Sequence, residues 1–223
     1  MPRSRFEILI PQKALDRAKT RLRSVLSLDD RLALTLAMLR RTLEVCARVP
    51  GSEGLLVDGP PEVAELVGEF GGRLIPGGVG GMRADVGEAA HSLVVGPEHA
   101  LLIVSSDLPL INVPDLETVV AAWREGYQIV LVPDRRARGT NVMMADAPEA
   151  FPYAFGRALD HGSLETHLTQ AQGTGMSVTI LELPALALDL DLPVDLARYV
   201  REAPEDPLAQ FCLAHAQESY VFE

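Results

Sequence analysis

Cations and carboxylates stand at the ends of apolar runs along this chain, in patterns that suit phosphate and metal chemistry. Phe6 to Ile10 is an apolar run followed at once by Pro11-Gln12-Lys13, and the loop continues through Lys19-Thr20-Arg21. Lysine offers a phosphate a compact point charge and arginine a bidentate fork, so Lys13, Lys19 and Arg21 together suit a polyphosphate. A solvated basic loop would show the same spacing. Leu101 to Val104 is a second apolar run, and it ends in Ser105-Ser106-Asp107-Leu108-Pro109. An aspartate there projects into the crevice at a strand end, where a hard cation such as Mg²⁺ takes carboxylates together with phosphate oxygens. Taken alone, it is also an ordinary turn or capping residue. Near the end of the chain, Leu188-Asp189-Leu190-Asp191-Leu192 alternates. If extended, it turns Asp189 and Asp191 to one face. Like charges so close repel, and a divalent cation would relieve them. The alternative is an edge strand with a solvated acidic face. Asp195, just after Pro193, reads as a helix-start signal rather than a ligand.

A second group is polar and glycine-rich. In Arg138-Gly139-Thr140-Asn141, Gly139 allows close backbone approach, and Thr140 and Asn141 offer hydrogen bonds. Phe155-Gly156 and His161-Gly162-Ser163 come before a helical stretch, Leu164 to Gln172. A Gly-Ser step at a helix start can receive an anion. Taken alone, the step reads better as an ordinary N-cap, with Ser163 capping and Thr166 on the next turn. The glycine-rich stretch Pro76 to Gly81 fits neither a dinucleotide fingerprint nor a P-loop. His161 and His167 lack the spacing of a helical metal pair.

The elements that would position these residues alternate between strand and helix. Phe6–Ile10, Gly54–Asp58, Arg73–Ile75, Leu101–Val104 and Gln128–Val132 read as strands. Leu28 to Ala47 carries leucines at steps of four and three, with Ser27 and Asp30 as a capping pair. Pro61–Phe70, Ala84–Val94 and Pro114–Trp123 read as further helices. Such alternation implies parallel βαβ units, with ligands bound beyond the carboxyl ends of the strands. Residues 1–202 read as one domain. Residues 203–223 read as a C-terminal extension, helical, docking on the core or on a second copy in a homodimer.

Composition narrows the classes. Hydrophobic residues make up 48% of 223, enough for a core without disulfides. The net charge of −11 argues against nucleic acid and against anionic membrane as partners. It leaves room for a local cationic site. Two isolated cysteines, no membrane-length apolar run and no cleavable leader pattern place the protein in the cytoplasm. Cys46 reads as a small core residue.

Taken in order, these motifs resemble the guanylyltransferases that act on 2-phospho-L-lactate or phosphoenolpyruvate in the coenzyme F420 pathway. The motifs are Pro11-Gln12-Lys13, Ala18-Lys19-Thr20-Arg21-Leu22, Ser106-Asp107-Leu108-Pro109, Gly139-Thr140-Asn141, Gly162-Ser163 and Asp189-Leu190-Asp191. The likeness runs from about Phe6 to Val200. It implies an α/β, three-layer, Rossmann-like nucleotidyltransferase fold with a mostly parallel central sheet. It implies Mg²⁺ as cofactor, and GTP and a phosphorylated three-carbon acid as substrates, with pyrophosphate released. It implies that Lys13, Lys19 and Arg21 hold the triphosphate, and that Asp107, Asp189 and Asp191 hold the metal. Thr140, Asn141, Gly156, Gly162 and Ser163 would then hold the acid. Asp85 stands where the family usually has Leu-Asn before a helix, and it can accept from the guanine N1–H and amino group. A molybdopterin- or sugar-phosphate nucleotidyltransferase is a rival reading, against which the Pro11-Gln12-Lys13 loop counts. A nucleotide-binding module without catalysis is another, against which the intact acidic positions count.

Overall fold

The computed structural model describes residues 5–76, 99–146 and 162–217, apart from Ala18 and the side chains of Asp16, Pro76 and His99. Asp85, Gly156, the glycine-rich stretch beyond Pro76 and the helix expected at Ala84–Val94 lie outside those residues.

Seven strands form one sheet: β1 (Arg5–Pro11), β2 (Ser52–Gly59), β3 (Arg73–Pro76), β4 (His99–Val104), β5 (Ile129–Pro133), β6 (Thr140–Asp146) and β7 (Val178–Ile180). Their order is β3-β2-β1-β4-β6-β5-β7. β1 pairs in parallel with β2 and β4, β2 with β3, and β5 with β7. Among the described strands, only β6 runs antiparallel, against both β4 and β5. The sheet is thus mostly parallel and the class is α/β.

β6 was not foreseen, because Gly-Thr-Asn reads as loop. Its direction follows from the turn before it. The Asp134 carboxylate accepts from the backbone N–H groups of Arg136 and Arg138, and Asp134 N–H donates to Gly139 O. Ala137 takes the left-handed conformation, at φ 51°. So short a reversal makes a hairpin, whereas a parallel return needs a long crossover.

Helices cover both faces. α1 (Leu28–Cys46), α2 (Ala64–Glu69) and α3 (Val113–Arg124) share a core with Phe6, Ile8, Ile10, Leu102 and Val104. α4 (Ser163–Thr174) covers the other face, against Leu9, Leu101, Ile103, Leu131 and Met143. The two sets alternate along each strand, as a period of two requires. Caps set the helix starts. Ser27 Oγ accepts from Asp30 N–H at 3.1 Å, and Asn112 Oδ1 from Asp115 N–H at 2.9 Å. The helix read at Pro61–Phe70 is instead a 3-10 turn, Pro61–Val63, leading into the short α2.

A third cluster closes one corner. Three short helices, α5 (Pro184–Ala187), α6 (Pro193–Glu202) and α7 (Pro207–His215), follow β7. Leu196 and Tyr199 of α6, and Leu208, Ala209 and Cys212 of α7, bury against Leu22, Leu34 and Met38. Within the chain, α7 therefore docks on α1 and α6. Cys46 is a buried core residue whose thiol is pushed up by burial alone. No helix among the described residues is long and apolar enough to cross a membrane.

Candidate active site

β1 and β4 are neighbours and parallel, so the loops that follow them leave the same edge of the sheet. Between them lies a cleft open to solvent. Its walls are Gln12, Lys13, Arg17, Lys19 and Arg21 from the first loop and Ser105, Ser106 and Asp107 from the second. All three cations expected from the sequence are present. Arg17 adds a fourth; its place in the same loop was the available signal, and it was overlooked.

Lys19 is the centre of this arrangement. Its side chain is only 7% exposed, and its Nζ donates to Asp107 Oδ2 at 2.8 Å. Asp191 Oδ1 lies at 3.5 Å from the same ammonium, and Arg21 reaches Asp191 Oδ2 at 3.4 Å. The Lys19 backbone is left-handed, at φ 52° and ψ 32°. For a residue with a Cβ that costs about 1–2 kcal/mol. Such strain persists where the surroundings over-determine it, as this buried ion pair does.

Asp107, Asp189 and Asp191 converge, each offering one carboxylate oxygen with all three within 4.8 Å of one another. Leu188 and Leu190 are buried while Asp189 and Asp191 are half-exposed, so the extended alternation read from the sequence holds. The segment is not an edge strand. It is tied to the β4 loop by Leu190 N–H donating to Asp107 O at 3.1 Å.

Burial would raise Asp107, but the Lys19 charge and hydrogen bond, with Lys13 farther off, outweigh it and hold this carboxyl low. Asp189 goes the other way. Burial first, and then the like charges of Asp107, Asp191 and Asp195, push it up to about 7. Burial would lower Lys19, but Asp107 and Asp191 keep it raised and protonated. Three hard oxygen donors, one strained by like charge, fit a divalent cation.

The residues expected to hold the acid form a separate cluster. Gly162 has φ +84°, and a Cβ there would stand 2.4 Å from Arg138 O, so only glycine fits. Ser163 is not the cap of α4; Gly162 is, and Ser163 Oγ accepts from Thr140 N–H at 2.9 Å. Thr140 Oγ1 pairs with His167 Nδ1 at 3.0 Å, and Asn141 Nδ2 donates to Leu186 O at 2.9 Å. All three side chains are buried. The structure therefore corrects the picture of open donors on a loop: these side chains clamp β6 to α4 and α5. Asn141 O accepts from Ser105 N–H at 2.9 Å, which ties the clamp to the Asp107 loop. Asp195 is a helix-start residue as read, accepting from Leu192 N–H at 2.8 Å.

The chain is similar to known proteins over most of its length. The model of the family described as "Guanylyl transferase CofC like" matches residues 6–202. A phosphoenolpyruvate guanylyltransferase of Rubrobacter xylanophilus is 35% identical over 85% of this chain and 91% of its own. One of Sphaerobacter thermophilus is 34% identical, over 88% and 93% respectively. Among solved structures, a protein of Desulfovibrio desulfuricans G20, provisionally assigned as a nucleotide-diphospho-sugar transferase, superposes with a TM-score of 0.70. It covers 94% of both chains at 16% identity, a likeness of fold alone. On the family match and these relatives, the chain belongs to the CofC-like guanylyltransferase family, with a Rossmann-like α/β nucleotidyltransferase fold.

Proposed function

We propose that this protein joins GTP to a phosphorylated three-carbon acid, phosphoenolpyruvate or 2-phospho-L-lactate, releasing pyrophosphate, as a step of coenzyme F420 synthesis. The observation that carries the reading is the meeting of Lys19 with Asp107, Asp189 and Asp191 in a cleft edged by Lys13, Arg17 and Arg21. The names of the most similar relatives support phosphoenolpyruvate as acceptor.

The chemistry asks little covalent work of the protein. An oxygen of the acid's phosphate attacks the α-phosphorus of GTP; that P–O bond forms as the bond to the β-phosphate breaks. The nucleophile is already anionic, so no protein nucleophile is required. The obstacle is the approach of two anions and the charge that builds on departing pyrophosphate. Lys13, Arg17 and Arg21 at the cleft wall hold the phosphates and take up that charge. Lys19, kept protonated by its carboxylates, supplies a fixed cation between metal site and phosphates. Asp107, Asp189 and Asp191 would hold Mg²⁺, which when bound neutralises phosphate oxygens and orients them for in-line displacement. Thr140, Asn141 and Ser163 are bonded within the protein, and the bond from Ser105 N–H to Asn141 O ties them to the Asp107 loop, so their part in holding the acid is to fix that edge of the cleft.

Pyrophosphate release by the purified protein with Mg²⁺ tests this. GTP, ATP and CTP would each be offered with phosphoenolpyruvate, 2-phospho-L-lactate and 3-phosphoglycerate. Release with GTP and one of the first two acids is expected. Silence with every pair, from folded protein that binds GTP, would sink the reading.

A further inference from the structure

The family match stops at residue 202, yet the chain beyond it reaches back toward the acidic cluster. Asp206, the N-cap of α7, accepts three hydrogen bonds on one oxygen. They come from Leu208 N–H at 2.9 Å, Tyr199 Oη at 2.6 Å and Arg41 Nη2 at 2.8 Å. Arg41, on α1, uses its other terminal nitrogen on Pro109 O and, at 3.3 Å, on Tyr199 Oη. Pro109 lies two positions after Asp107 in the Asp107-Leu108-Pro109 turn. Arg41 and Asp206 are each about one-fifth exposed, so the pair is shielded from bulk water.

The turn is therefore gripped at two points. Leu190 N–H holds Asp107 O, and Arg41 holds Pro109 O. A carboxylate that must face two others within 4.8 Å needs its backbone fixed, because a small rotation of the turn would swing Asp107 away. The planar fork of arginine holds a carbonyl and a carboxylate in one fixed geometry, whereas a lysine ammonium is a flexible point charge with no fixed fork. We propose that Arg41, itself oriented by Asp206 and Tyr199, is a positioning residue that fixes the Asp107 turn against Asp189 and Asp191. The C-terminal segment thereby becomes part of the working site. The metal half of the idea rests on the reading given under Proposed function; the grip on the turn does not.

The test compares two variants of the grip with one of α7 packing. Arg41→Lys keeps the charge and loses the fork. Asp206→Ser keeps an N-cap for α7 and loses the reach to Arg41. Cys212→Ser disturbs α7 from its buried face and leaves the Arg41, Tyr199 and Asp206 side chains in place. Mn²⁺ binding, followed by electron paramagnetic resonance without substrates, should weaken about tenfold or more in the first two variants. It should stay near wild type in Cys212→Ser. Amide exchange at Leu190 is the second readout, and it needs no metal. It should speed up about tenfold in Arg41→Lys and Asp206→Ser, through local opening of the turn. Leu190 exchange unchanged in both grip variants, or equally faster in Cys212→Ser, would overturn the inference. Exchange that depends on the grip, in a protein that takes up no Mn²⁺, would leave the grip standing and remove the metal site.

Discussion

Two polar clusters lie on either side of Ser105, and they treat their groups in opposite ways. Around Thr140, Ser163 and His167 each of those side chains has a partner inside the protein. Around Lys19 the charges are crowded: Asp107 and Asp191 share its ammonium, Arg21 reaches Asp191, and Asp189 is pushed up to about 7. A satisfied cluster contributes rigidity, whereas an over-charged one contributes affinity for something cationic or phosphorylated. The first is built as scaffold, and the second is the cluster proposed above to act on the phosphates.

That division predicts which variants lose activity and which lose stability. Asp107→Asn should give the largest effect, a drop in pyrophosphate release of about a hundredfold or more. Its melting temperature should change little, because Asp191 stays within 3.5 Å of the Lys19 ammonium. A variant that melts far below wild type yet keeps its specific activity where it is folded would place Asp107 in the scaffold instead.

Gly162→Ala should do the reverse. With φ +84° and a Cβ 2.4 Å from Arg138 O, it should cost about 1–3 kcal/mol or more and lower the melting temperature by several degrees. Differential scanning calorimetry reads this directly, and an unchanged melt would mean that the clamp is looser than its distances indicate.

Asp189 gives a test in pH. Its folded pKa lies near 7, above the ordinary value of 3.8, so the folded state binds more protons than the unfolded state between those values. Its ionisation therefore destabilises the metal-free protein increasingly as pH rises from about 4 to 7. Asp189→Asn should melt higher than wild type at pH 8 without metal, and the gain should fade toward pH 4. Mg²⁺ should stabilise the wild type more than this variant. A gain that does not vary with pH would remove like-charge repulsion as its cause.

His167 sharpens the contrast with the smallest effect. Burial lowers its pKa to about 4 from 6.5, so below 6.5 the unfolded state binds the proton first. Stability should fall as pH drops from about 6.5 to 4, and His167→Gln should show a shallower decline over that window. Equal declines in urea melts of the two proteins would mean that His167 is not held neutral.

Much of the scaffold was legible in the chain. The apolar strand from Phe6 to Ile10, the leucine steps of α1 and the Ser27 cap are local patterns, and they appear where expected. β6 was missed because Gly-Thr-Asn carries a turn signal and its strand character comes from neighbours on both sides. The bond from Thr140 N–H to Ser163 was hidden because a cap and a cross-segment acceptor look alike in sequence. Side-chain roles in the clamp were likewise hidden: nothing near Thr140 announces that its hydroxyl faces His167.

By itself, the sequence determined most of the elements, the family motifs and which side chains could bear charge at strand ends, since these depend on residue type and short-range period. Tertiary structure alone decided what meets. Lys19 and Asp107 are 88 positions apart, and Arg41 and Asp206 are 165 apart. Such pairs form only when the sheet order sets β1 beside β4 and α7 folds back onto α1. The raised carboxyl of Asp189 has the same origin, because charges repel through space and not along the chain.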